Sequence, residues 1–125
     1  EIYRDSFQPS PVLDEPYTIV TASTIAAETN GQAKWLSGPS RLRRYGLRTG
    51  RMGPMLSPED AVEHPDFGAA SAMTVSSLVG TGEEVVAGMH ELAERTGADE
   101  LMLYPSTYAL EDRITSLELV ANAWK

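Results

Sequence analysis

Five arginines, Arg41, Arg43, Arg44, Arg48 and Arg51, fall close together and make up half of the ten basic residues in the chain. A guanidinium fork matches the oxygens of a phosphate or carboxylate, so the group could hold a phosphate or an acidic substrate. A solvated, mobile loop is the plainer reading of the same residues. The turn Gly80-Thr81-Gly82 is a second candidate, because it opens a helix whose first amides are free to bind an anion. Glu83 and Glu84 follow directly and would repel one, so helix capping explains the turn better. His64 and His90 have no second histidine or carboxylate at ligand spacing, and both read as surface residues. No metal site is expected. Glu83, Glu84, Glu91, Glu94 and Glu111 read as solvated helix faces rather than an acid/base pair. Trp35 and Trp124 read as packing residues.

These side chains need elements to place them. Residues 79–104 are the best punctuated stretch. Thr81 with Glu84 has the capping-box form, in which each side chain satisfies an amide at the helix start. The two glutamates also meet the positive end of the helix dipole. Val85, Met89, Leu92 and Ala93 recur at helical spacing and form one apolar face. Gly97 supplies a left-handed stop. Residues 100–104, ELMLY, form a short apolar run of the kind that is covered on both faces in a parallel sheet. A helix, a glycine turn and a buried strand make the repeating unit of an α/β protein.

Upstream, residues 1–7 read as the end of a helix that Pro9 and Pro11 terminate. Residues 17–27, YTIVTASTIAA, are rich in β-branched side chains and read as a strand buried on both sides. Thr29 and Gln32 resemble another capping box, opening a helix through about Leu36. Residues 37–78 then form an excursion rich in glycine and proline. It is expected to hold a short helix at 40–45, a further short helix from Ser57, and loop between them. Excursions of this length are uncommon in compact domains and are often functional or mobile. Residues 110–124 read as a closing amphipathic helix, with Ile114, Leu117, Val120 and Ala121 on one face.

The chain has 125 residues, 42% hydrophobic and 22% charged, which is the balance of a globular protein. Its net charge of −8 argues against nucleic acid as a partner. The absence of cysteine excludes a disulfide framework and fits a cytoplasmic setting. No apolar run approaches the roughly 20 residues that span a bilayer, so no membrane partner is expected. The chain starts at Glu1 rather than at a methionine, as a processed, trimmed or excised piece would.

Four stretches, in this order and spacing, resemble the C-terminal portion of the luciferase-like flavin-dependent monooxygenases. They are YRDSFQPSPVLDEPYTIVTASTIAAETNGQA, LRTGRMGPMLSPEDA, the opening Leu78-Val79-Gly80-Thr81-Gly82-Glu83-Glu84, and LAERTGADELML. Together they cover almost the whole chain. The resemblance implies a (β/α)₈ TIM barrel, a fold of about 250 residues, of which this chain would be one partial domain. Residues 17–27 would be strand seven, 100–104 strand eight, and 37–78 an excursion between them near the active-site mouth. It further implies FMN, or the deazaflavin F420, with molecular oxygen and a small organic substrate.

By barrel logic the late positions of the two strands face the site. Ser23, Thr24, Tyr104 and Ser106 are therefore the candidate cofactor-binding residues, with Thr107 beside them. Catalytic residues proper remain unassigned. Two barrel strands without neighbours expose unpaired edges. The expected partners are thus the N-terminal part of the same barrel and, on assembly, further copies of the chain. The other reading is a non-catalytic piece that forms an oligomer interface.

Overall fold

The computed structural model describes residues 1–125. Ten elements follow one another: α1 (Ile2–Asp5), β1 (Ile19–Ala26), α2 (Asn30–Leu36), α3 (Gly38–Thr49), α4 (Pro58–Glu63), α5 (Phe67–Ala72), β2 (Leu78–Gly80), α6 (Gly82–Thr96), β3 (Glu100–Pro105) and α7 (Leu110–Ala123). The three strands form one parallel sheet in the order β2-β1-β3. The chain is therefore an α/β unit, as its sequence pattern indicates.

The central strand is the β-branched one. β1 pairs along its length with β3, from Ile19 opposite Glu100 to Thr24 opposite Pro105. Its last three residues also pair with β2, with Ile25 opposite Val79. One face of the sheet packs on α6 and α7, where Ala26, Val85, Val86, Met89 and Val120 form a buried cluster. At that end of β1 the Ala26 amide donates to Ser116 Oγ at 2.8 Å, so a buried helix hydroxyl closes a strand amide. A second cluster joins Ile25 and Ala27 to Ala33 and Leu36 of α2.

The helix punctuation follows side-chain chemistry. Thr81 and Glu84 form the reciprocal capping box of α6, and Gly97 ends it at φ +62°. Thr29 caps α2 by accepting from the Gln32 amide at 3.1 Å. That cap is one-sided, and the reciprocal bond of a box is not formed.

Three expectations are corrected. The stretch before α6 is not only a glycine turn, since Leu78–Gly80 pairs with β1 as a third strand. The excursion holds more helix than expected, and α3 runs for 12 residues, Gly38–Thr49, instead of the short helix at 40–45. Burial of both faces does not hold for β3. Its residues alternate, and Glu100, Met102 and Tyr104 lie on an open face, with Met102 54% and Tyr104 62% exposed. Ile19 and Thr21, their partners across the ladder, are exposed as well.

The expected apolar face of α7 is likewise only partly covered. Val120 is buried, whereas Ile114 and Leu117 remain exposed. A groove of about 860 Å³ lies between α6, α7 and β3, lined by residues that include Met89, Leu101, Leu103, Leu117 and Trp124. β3 forms one edge of the sheet, beside that open face.

Candidate functional site

Both long strands deliver their last residues to one place. Side chains alternate along a strand, so Ser23 and Thr24 must point to opposite faces. Ser23 stays on the open face, level with Tyr104 in the ladder. Its hydroxyl shares a hydrogen bond with Ser106 at 3.1 Å. Thr24 turns to the face packed on the helices together with Ala22 and Ala26. It is 0% exposed, and its Oγ1 has no hydrogen-bond partner.

A cavity of about 420 Å³ opens above this end of the sheet. Ser23, Tyr104, Ser106 and Thr107 form its floor, and Arg113 joins them from the first turn of α7. The opposite wall comes from the excursion: Ser40, Arg43, Arg44 and Leu47 on α3, then Met52 and Met55. Three of the four residues expected to bind a cofactor, Ser23, Tyr104 and Ser106, thus meet here. Thr24 does not, and it lies outside the lining.

Glycine chemistry brings the excursion back over its own helix. Gly50 ends α3 in the left-handed region at φ +73°, where other residues are strained. The Arg51 amide then donates to the Gly46 carbonyl at 2.8 Å. A β-carbon on Gly46 would lie 2.9 Å from the Arg51 carbonyl oxygen. A bare Cα at 46 therefore permits the return that sets Met52 and Met55 beside the cavity.

The arginine group divides by task. Arg41 donates to the carbonyls of Ser71 and Met73, both at 3.2 Å, and fastens α3 to the end of α5. Arg51 pairs with Asp66 at 3.4 Å. Arg48 stands exposed. Arg43 and Arg44 face the cavity with Arg113, whose Nε donates to the Thr107 carbonyl at 3.1 Å. No carboxylate lines the cavity. Its local charge is opposite in sign to that of the chain.

Arg113 and the two methionines escaped the sequence reading. For Arg113 a signal existed. It is a cation in the first turn of a helix, directly after Glu111 and Asp112, at the end where the dipole favours anions. A basic residue placed there has a reason outside the helix. The methionines gave no such signal, because their position depends on the turn at Gly46.

The histidines lie apart. His64 Nδ1 accepts from the Asp66 amide at 3.1 Å, and His90 stacks on Trp124 with ring centroids 4.8 Å apart. Two titratable groups away from the cavity are perturbed. The Asn30 amide group and the Thr81 backbone N–H hold the Glu84 carboxyl below the usual range. The hydrogen bond to Glu100 and the charge of that group push the Tyr17 hydroxyl up.

Comparison with known proteins adds the family. No protein-family model matches the chain. A luciferase-like monooxygenase of Escherichia coli (strain K12) is 32% identical over 126 residues, which are 97% of this chain and 37% of that protein. YvbT of Bacillus subtilis (strain 168), described as uncharacterized, is 36% identical over 129 residues, covering 100% of this chain and 38% of its own length. The crystal structure of apo-MsnO8 superposes with a TM-score of 0.81 at 27% identity, over 97% of this chain and 38% of that one. Over almost its whole length the chain is similar to luciferase-like monooxygenases. It spans a little over a third of the length of the curated relatives it matches.

Proposed function

We propose that this chain is the C-terminal part of a flavin-dependent monooxygenase and that its cavity forms part of the active-site mouth. The observation that carries the reading is the meeting of Ser23, Tyr104 and Ser106 at the C-terminal ends of two parallel strands. Barrel enzymes of the α/β class place their sites at that end. On this reading β1 and β3 are strands seven and eight, and residues 37–78 are the excursion between them.

The cofactor is FMN, or a deazaflavin in its place. Supplied reduced and with oxygen, it would carry the oxidation of a small organic substrate. The residues present fit one edge of such a group. A cavity of about 420 Å³ lies within the ordinary range for ligand sites. The Ser23 and Ser106 hydroxyls offer hydrogen bonds, and the exposed Tyr104 ring offers an apolar surface with a polar tip. Thr24 has no part in this contact. The remainder of the flavin pocket would come from the rest of the barrel.

That N-terminal part is the partner that suits the open face of Ile19, Thr21 and Met102, the free edge of β3, and the groove between α6 and α7. A cytoplasmic setting and assembly into a homo-oligomer belong to the same reading. No helix is long and apolar enough to cross a membrane.

The test uses the full-length protein. Adding FMN is expected to raise Tm with the logarithm of its concentration above Kd and to quench flavin fluorescence. An unchanged Tm, with no flavin retained on purification, would overturn the proposal.

A further inference from the structure

We propose that Met52 and Met55 form an oxidation site on the cavity wall, where hydrogen peroxide converts their thioethers to sulfoxides and so narrows the mouth. The inference rests on the reading of the cavity as part of a flavin site. The chain has no cysteine, so its five methionines carry all of its sulfur. Two of the five line the cavity, and Met52 is 55% exposed. The turn that joins the Arg51 amide to the Gly46 carbonyl holds both on that wall. Met89 lies buried between the sheet and its helices. Met73 is half-buried and lies outside the cavity. A thioether must meet its oxidant to react, so access sorts the methionines into a reactive pair and protected ones.

Hydrogen peroxide is what reduced flavin and oxygen yield when no substrate takes up the oxygen, and it is small enough to enter wherever water does. A sulfur lone pair attacks one peroxide oxygen, the O–O bond breaks and a sulfur–oxygen bond forms. The departing hydroxide takes the proton from the sulfur-bound oxygen and leaves as water. The thioether is oxidised and the peroxide is reduced by the same electron pair. The product changes what the wall offers. Leu47, Met52 and Met55 form its apolar flank. A sulfoxide is polar, and its oxygen accepts hydrogen bonds, so most of that flank is lost. Arg43 and Arg44 line the same space and belong to neither ion pair of the chain, Arg4–Asp99 or Arg51–Asp66. Their N–H groups are donors for the new oxygen, and a sulfoxide drawn to them lies across the mouth.

Dilute hydrogen peroxide is added to the full-length protein, and each methionine is followed by peptide mass spectrometry. Met52 and Met55 are expected to gain oxygen about tenfold faster than Met73 and Met89. Once both are converted, FMN affinity is expected to fall about tenfold and to return when the two methionine sulfoxide reductases restore the thioethers. In the Met52→Leu/Met55→Leu protein, which keeps an apolar flank and holds no sulfur there, peroxide is expected to leave FMN affinity where it stood. Met73 keeping pace with Met55 would overturn the proposal. So would an FMN affinity that is unmoved by conversion of the pair, or that falls equally in the leucine protein. Met102, 54% exposed in this chain, reports on the barrel reading by itself. Cover from the rest of the barrel keeps it as slow as Met89. Rapid oxidation of Met102, with Met52 and Met55 still ahead of Met73, would sink the barrel reading and leave the oxidation site standing. Failure of FMN to bind would sink the flavin reading, and the order of oxidation would then decide the proposal alone.

Discussion

Ser23 and Ser106 bring their hydroxyls to 3.1 Å from the ends of two strands that lie far apart in sequence. The bond ties the floor of the cavity together where β1 and β3 finish. A part-buried neutral hydrogen bond contributes about 1 kcal/mol. A double-mutant cycle of Ser23→Ala and Ser106→Ala, followed by urea unfolding of the full-length protein, is expected to give a coupling of about that size. Strict additivity of the two single changes would show that the pair is not bonded.

Thr24, one residue further on, predicts the opposite response. Its buried Oγ1 lacks a partner, and a hydroxyl desolvated without compensation costs about 1–3 kcal/mol. Thr24→Val keeps the branched shape and removes the oxygen. The variant is expected to be more stable by about 1 kcal/mol, read as a higher urea midpoint at unchanged slope, with flavin affinity unaltered. Loss of stability would reveal a partner for the hydroxyl.

The start of α6 predicts a pH response. The carboxyl of Glu84 is held low by the Asn30 side chain and the Thr81 amide. A depressed folded-state pKa adds stability above the unfolded value of 4.5, and this is lost as pH falls through the folded value. Glu84→Gln is expected to flatten the acid arm of a stability profile below about pH 5. Tyr17 has the reverse sign. Its raised pKa adds stability below its unfolded value of 10.0 that is lost as pH climbs beyond it. Tyr17→Phe is expected to flatten the alkaline arm. Thr81→Ala, which removes the cap from Glu84 N, is expected to cost about 1 kcal/mol at neutral pH.

The open sheet face predicts behaviour on separation. A 125-residue chain expressed by itself is expected to associate or to unfold without cooperativity, and to gain solubility when the rest of the barrel is co-expressed. Light scattering after size-exclusion chromatography checks this. A monomer that unfolds in one sharp transition would contradict it.

Sequence reading reached the parts of the fold that local chemistry dictates. Thr81, Glu84 and Gly97 act within a few residues of themselves, so their roles in α6 could be read directly. The apolar runs of β1 and β3 also marked strands correctly. What those runs could not disclose is which face is covered, because apolar character alone does not fix which elements lie over a strand. Hence Met102 and Tyr104 stand exposed where cover was expected. β2 was hidden by its length, since a three-residue strand ending in Gly80 looks like a turn. The arginines could be counted but not sorted, because the division of Arg41 and Arg51 from Arg43 and Arg44 depends on how α3 is rotated and on the path of the chain after Gly50. Ser23 lines the cavity and Thr24 does not, because side chains alternate with a period of two along a strand.

The sheet order has a consequence for biosynthesis. β1 leaves the ribosome before either strand it pairs with here, and its longer ladder must wait for β3, about 80 residues later. At about 5–20 residues per second, that interval is roughly 4–16 s. Through this time the edge of β1 that pairs with β3 stays unpaired while the excursion forms. The helices of residues 37–78 would then act first as a temporary cover for a nascent strand, well before they wall the cavity.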